Sequence, residues 1–290
     1  MRHKRKLTLE QKRSMEGYVF ITPWIIGFAT FIAYPFFESL WLSFHKVTEV
    51  ANLESEWTGW ANYINAFIVD INFLPNFIMT VNNTLINTPL IIVFALFIAI
   101  LLNRDIKLKA FFRAAFFLPV LLGTGFILQQ LLGQGVNQQA LTRGIAIPEE
   151  FFVYLGPTVA SYVQGFFDRL TLILWKSGVQ IILFLAGLQG ISASLYESAR
   201  CDGASEWEMF WQITLPMISP VILLNIIYTL IDSFTDVSNP IVDYVINVAF
   251  RQLNFGYGAA LGWIYFIFVF IVVAVIFLIS KRFVYYAGDR

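Results

Sequence analysis

The sequence has little charge, almost no metal-binding chemistry and no nucleotide cradle. Only 13% of its 290 residues are Asp, Glu, Lys or Arg, about half the share in an ordinary soluble domain. So few charges cannot cover a normal aqueous surface, and the composition shifts towards a membrane protein. The formal net charge is zero, without the basic footprint of a nucleic-acid binder. The single cysteine, Cys201, excludes an intrachain disulfide. The two histidines, His3 and His45, lie far apart, so no metal site is expected. No nucleophile–base cluster is visible, which argues against an enzyme. No G-x-x-x-x-G-K-[ST] occurs either, so any nucleotide that drives this chain must bind elsewhere. Linkers, low-complexity runs and internal repeats are also missing.

What is present is apolar length. The chain is 58% hydrophobic, with 30 Phe and eight Trp. A membrane helix needs about 20 mostly apolar residues. Six stretches meet that need, at about 18–44, 83–102, 111–132, 170–188, 216–234 and 259–280. The expected fold is an all-α polytopic membrane protein with a single transmembrane domain over 18–290. Residues 1–17 read as a retained cytoplasmic tail, since Met1 to Lys6 is basic but no small-residue cleavage site follows the apolar run. With both ends inside, fourteen of the 19 Lys and Arg residues fall on the inner side, as the positive-inside rule requires. The segment from Phe151 to Phe167 is apolar but is interrupted by Gly156 and Pro157. It reads as an external helix lying on the membrane surface.

The loop over 189–215 is the most informative inner segment. At helical spacing Leu195, Ser198, Ala199 and Asp202 share a face, with Glu197 and Cys201 on another. Ser198 and Ala199 are small enough for another backbone to come close. Gly203 can take positive φ and so end a helix in a sharp turn. Trp207, Phe210 and Trp211 then follow at i, i+3, i+4. Such aromatics need cover, from the chain's own spans or from another protein. Pro216 suits a helix start, and Pro220 is expected to bend the entry one turn further in. Spacing alone leaves an ordinary amphipathic loop as open as a docking bracket.

These residues resemble the signature loop of the permease subunits of bacterial binding-protein-dependent ABC importers. That family's pattern is Glu-Ala-Ala, then Asp-Gly-Ala, a Phe, an Ile, and Leu-Pro with a second Pro four residues on. Here it reads Glu197, Ser198, Ala199; Asp202, Gly203, Ala204; Phe210; Ile213; Leu215, Pro216; and Pro220. Only Ser198 departs, and only slightly. Tyr34-Pro35, Asn62-Tyr63, Phe67, Asn83-Thr84, Phe112-Arg113, Leu118-Pro119 and the run from Leu185 to Gln189 look like the carbohydrate branch, the maltose- and glycerol-phosphate-type permeases. Asp236 to Pro240 departs from that branch's Thr-x-Gly-Gly-Pro, which leaves the substrate side less well matched than the loop.

The resemblance implies six spans of the type I importer kind in a bacterial cytoplasmic membrane. It implies a second, usually different, permease, two ATPases docked on the inner loops, and an external solute-binding protein that delivers carbohydrate. ATP and magnesium would sit on the ATPases, and this chain would bind no cofactor and catalyse nothing. The ATPase-coupling set would be Glu197, Ser198, Ala199, Asp202, Gly203, Ala204, Trp207, Phe210 and Pro216.

Polar residues inside spans are the other candidates. Asn225, Tyr228 and Asp232 follow i, i+3, i+7, and Asp236 lies just beyond. An amide, a phenol and a carboxylate suit sugar hydroxyls, though an interface with the partner permease would use the same groups. Lys176 could line the pathway or snorkel to the interface, and Gln180 is a further candidate. Asn87, Gln129 and Gln130 are weaker ones. The expected cargo is a carbohydrate, oligosaccharide by family habit; another polar solute such as a phosphorylated polyol is the alternative. A stand-alone secondary transporter is disfavoured by the missing inverted repeat.

Overall fold

The computed structural model describes residues 9–49, 54–104, 109–122, 149–236, 238–282 and 284. Helix α1 (Leu9–Phe28) passes through a π turn (Ala29–Ala33) into α2 (Tyr34–Ser43). Pro35 supplies no N–H to the turn before it, and the π turn absorbs the missing bond. Apolar helix therefore continues past Tyr34-Pro35 to Ser43. An antiparallel hairpin follows, β1 (His45–Glu49) with β2 (Glu54–Trp57), pairing His45 with Trp57. This corrects the all-α expectation: the described residues are mostly helical with one two-stranded sheet. Both segments are too short for a stable helix.

Next come α3 (Ala61–Ile64), a π turn (Asn65–Val69), α4 (Phe73–Asn103), α5 (Lys109–Leu122), α6 (Glu149–Lys176) and α7 (Gly178–Gln189). Then come α8 (Ala193–Cys201), α9 (Glu206–Met209), a π turn (Phe210–Thr214), α10 (Leu215–Met217) and α11 (Ser219–Thr235). The chain ends with α12 (Pro240–Ile246), a π turn (Asn247–Arg251) and α13 (Phe255–Ser280).

Among the described residues, three helices are long and apolar enough to cross a bilayer: Met15–Ser43, Phe73–Asn103 and Phe255–Ser280. Two bent pairs raise the number to five if each is one span. Thr158–Lys176 meets α7 at 54°, and Glu206–Met217 meets α11 at 65°. The span expected at 111–132 is described only to Leu122; its remainder, with Gln129 and Gln130, lies outside the described residues.

The surface helix expected at 151–167 is not a separate element. Its interruption is at Gly156, with φ 73° and ψ 156°, because a residue before proline avoids the helical region. From Thr158 the helix runs unbroken to Lys176. The fourth apolar segment thus begins about three turns before residue 170.

The described chain forms two compact units, Met1–Phe77 with Pro240–Phe268, and Ile78–Asn239 with Val269–Arg290. In the first, the Asn62 side-chain amide donates to the carbonyls of Ser43 (2.9 Å) and His45 (3.0 Å), which fixes the start of the hairpin. Asp70 caps α4 by accepting from the N–H groups of Asn72 and Phe73. Its other oxygen accepts from the hydroxyls of Tyr244 (2.6 Å) and Tyr257 (2.5 Å). Burial alone would raise the Asp70 pKa, but these four donors outweigh it and hold the carboxyl below its usual range.

In the second unit, Ile92, Ala95, Ala99 and Leu102 of α4 pack with Ile181, Phe184, Leu185 and Leu188 of α7 and with Ile218. Ala95 and Ala99, one turn apart, keep these helices close. Gly187 does the same against α11, where an added Cβ would lie 2.8 Å from a Val221 methyl.

Candidate functional site

The 189–215 loop folds as a helix–turn–helix bracket. Its first arm, α8, ends at Asp202, and Gly203 takes φ +83°. The Gly203 N–H donates to Arg200 O (3.1 Å) and the Ala204 N–H to Ala199 O (2.9 Å). That pair of bonds is a Schellman turn, with glycine at the left-handed position. Ser205 then opens α9 with a reciprocal capping box: the Glu208 N–H donates to Ser205 Oγ, and the Ser205 N–H donates to the Glu208 carboxylate (2.8 Å). The two arms are tied by Tyr196 and Thr214, whose hydroxyls lie 2.9 Å apart. Arg200 and Glu206 also pair at 3.1 Å, but both are exposed and the pair adds little.

Met209 is buried, whereas Trp207 is 69% and Trp211 50% exposed. Their rings meet edge to face at 5.5 Å, and Phe210, half-buried, stacks on Trp207. The bracket therefore presents a preassembled aromatic face that the other described residues leave exposed. Glu197, Ser198, Asp202 and Gly203 are exposed beside it, and Ala199 and Ala204 are half-buried. Pro216 sits in the first turn of α10. The bend into α11 comes at Ile218 (φ −91°, ψ 3°), and Pro220 stands in the first turn of the new helix. Pro220 thus begins a helix instead of kinking one, as its missing N–H allows at that position.

At the far end of α11 from the bracket is a charged cluster. Lys176 Nζ lies 2.5 Å from Asp236 Oδ2 and 3.2 Å from Asp232 Oδ2. Asp236 also accepts from the Ser238 N–H (2.8 Å) and hydroxyl (2.7 Å). Burial pushes the Asp236 pKa up, but Lys176 and Ser238 outweigh it and hold the carboxyl below its usual range. Deeper in, the fully buried Gln180 donates to Thr229 Oγ1 (2.9 Å). Asn225, also fully buried, donates to Val221 O (3.1 Å) of its own helix.

Comparison with known proteins bears on what such a chain is. Residues 71–290 match the family described as the inner membrane component of binding-protein-dependent transport systems. The chain belongs to this family. One relative is the Probable ABC transporter permease protein YesP of Bacillus subtilis, 29% identical over 97% of this chain and 95% of that one. The multiple sugar-binding transport system permease protein MsmF of Streptococcus mutans is 29% identical over 92% of this chain and 96% of that one. The arabinooligosaccharides transport system permease protein AraP of Halalkalibacterium halodurans is 26% identical over 92% and 88%. In fold, a bacterial ABC transporter involved in import of the acidic polysaccharide alginate matches with a TM-score of 0.64 and 20% identity, over 93% of this chain and 96% of that one.

In this family member the residues singled out in the loop do lie together on one bracket. The intramembrane stripe does not hold together in the same way. Asn225 turns inward, Tyr228 is 37% exposed, and Asp232 is occupied by Lys176. Three residues of helix fall about 60° short of a full turn, enough for Asn225 to be buried while Tyr228 stays part-exposed. The sequence offers Lys176 and the two aspartates as separate candidates, whereas the structure pairs them. The signal was available: a lone cation at one end of an apolar span calls for carboxylates at the same depth on the next. The Asp70–Tyr244–Tyr257 network was also missed, since its members are 174 and 187 residues apart.

Proposed function

We propose that the chain is a membrane-spanning permease subunit of an ATP-driven carbohydrate importer, with oligosaccharide as its cargo. It lines the translocation pathway with a second permease and is driven by two ATPases docked on the bracket from the cytoplasm, where both termini lie. An extracytoplasmic binding protein delivers the sugar. ATP and magnesium belong to the ATPases. The bracket carries this reading: in a member of this family, a rigid Schellman turn presents an uncovered Trp207–Trp211 face between two bent apolar helix pairs. Glu197, Ser198, Ala199, Asp202, Gly203, Ala204, Phe210 and Pro216 complete the docking surface. Relatives named for sugar and arabinooligosaccharide transport support the cargo assignment. In this reading Tyr228, Asp232, Asp236 and Lys176 meet the sugar, and Gln180 and Asn225 act behind them as packing groups.

The test is purification of the complex with its ATPases and binding protein, reconstitution in vesicles, and a solute screen read by ATP hydrolysis and uptake. Stimulation by oligosaccharides is the expected result. Stimulation by phosphorylated polyols alone would refute the carbohydrate assignment. Uptake by this chain without ATPases would refute the ATP-driven one.

A further inference from the structure

The cluster at Lys176 has a definite charge and a definite exposed side. One ammonium and two carboxylates leave a formal excess of one negative charge. The cation is the innermost member: its side chain is 19% exposed, against 25% for Asp236 and 42% for Asp232. Two of the three Lys176 donor positions go to the aspartates. Asp236 is engaged through both oxygens, by Lys176 and by Ser238. Asp232 is not. Its Oδ2 takes Lys176, and among the described residues its Oδ1 takes no protein hydrogen bond. A half-exposed carboxylate at the end of an apolar helix cannot face hydrocarbon, so its exposed side meets water or another polar surface. Tyr228, one turn away, adds a part-exposed ring and phenol.

We infer that this cluster selects uncharged polyhydroxylated solutes against acidic ones, with Asp232 as the specificity-determining residue. A free carboxylate oxygen accepts sugar hydroxyls, and the net negative charge repels uronate or phosphate groups. The lysine, which alone would attract anions, is neutralised by its neighbours. This inference rests on the carbohydrate reading above and narrows its substrate class.

The test compares uptake of a neutral oligosaccharide with uptake of the uronate of the same length and linkage. The whole complex is used in vesicles, and each rate is normalised to the binding protein's separately measured affinity for that sugar. Wild type should favour the neutral sugar. Asp232→Asn brings the cluster to zero and the double variant Asp232→Asn, Asp236→Asn to a positive charge. Each step should lower the neutral-to-acidic ratio by about fivefold, the effect of one unit charge at about 4 Å in water. Lys176→Met should raise the ratio, and combining it with Asp232→Asn should restore the wild-type value by charge alone, which separates selectivity from folding damage. A ratio that stays constant across the series, or a wild-type preference for the uronate, would overturn the inference. If wild type carries neither sugar but another polar solute, the carbohydrate reading fails. The ratio is then read on that solute and its anionic derivative, so the two ideas fall or stand separately.

Discussion

Replacing Gly203 isolates the contribution of one backbone angle. At φ +83° an L-residue pays about 1–2 kcal/mol, and Asn pays less because it visits this region more readily. Nothing lies within 4 Å of a Cβ added at this position, so the chain itself exacts no packing cost. The whole penalty falls on the turn whose bonds are Gly203 N to Arg200 O and Ala204 N to Ala199 O. A loss of 1.4 kcal/mol is tenfold in an opening equilibrium. Amide hydrogen exchange at Ala204 should therefore be about tenfold faster in Gly203→Ala, faster still in Gly203→Val, and nearly unchanged in Gly203→Asn. Membrane insertion should not change. Solute-stimulated ATP hydrolysis and uptake should fall in the same order, and the Val variant should be inactive. Full transport by Gly203→Val, or unaltered exchange at Ala204, would refute the argument. Loss of transport in Gly203→Asn with normal exchange would shift the cause from the turn to a clash with the docked ATPase.

Three further outcomes are expected. Trp207→Ala should leave thermal stability within about 0.5 kcal/mol of wild type, because the ring is mostly exposed, yet weaken ATPase docking by about 2 kcal/mol, some 30-fold in Kd by titration of the purified subunits. Gly256→Ala should destabilise the first unit by about 2–4 kcal/mol in thermal unfolding, since its Cβ would meet the His45 carbonyl that Asn62 holds in place. Asp70 has a folded pKa below its unfolded value, so its stabilisation is complete above about pH 4 and is lost as pH falls through the folded value. Tyr244 is shifted the other way: burial first, then the Asp70 carboxylate, raise its pKa, so its contribution is complete below about pH 10 and is lost as pH rises through the folded value. Unfolding midpoints in detergent should fall on the acid side, and Asp70→Asn should flatten that side.

Much of this molecule can be read from residues close together in the chain. Apolar runs disclose where helices can cross a membrane, because hydrocarbon leaves few alternatives to about 20 uncharged residues. The bracket is equally local: Gly203, the Ser205–Glu208 box and the tryptophan spacing act within a few residues, so their geometry follows from composition and order. Breaks inside helices are harder to foresee. Proline marks the kink after Gly156, but the bend at Ser177 depends on how α7 packs against α4 and α11. The least legible features are pairings between distant residues. Lys176 meets Asp232 and Asp236 across 56 and 60 positions, and Asp70 meets Tyr244 across 174. Sequence alone determined that these groups were too polar to be left alone in an apolar chain. Only the tertiary structure decided which of them would neutralise one another and which oxygen would be left over, because that depends on helix depth and rotation, set by packing within each compact unit.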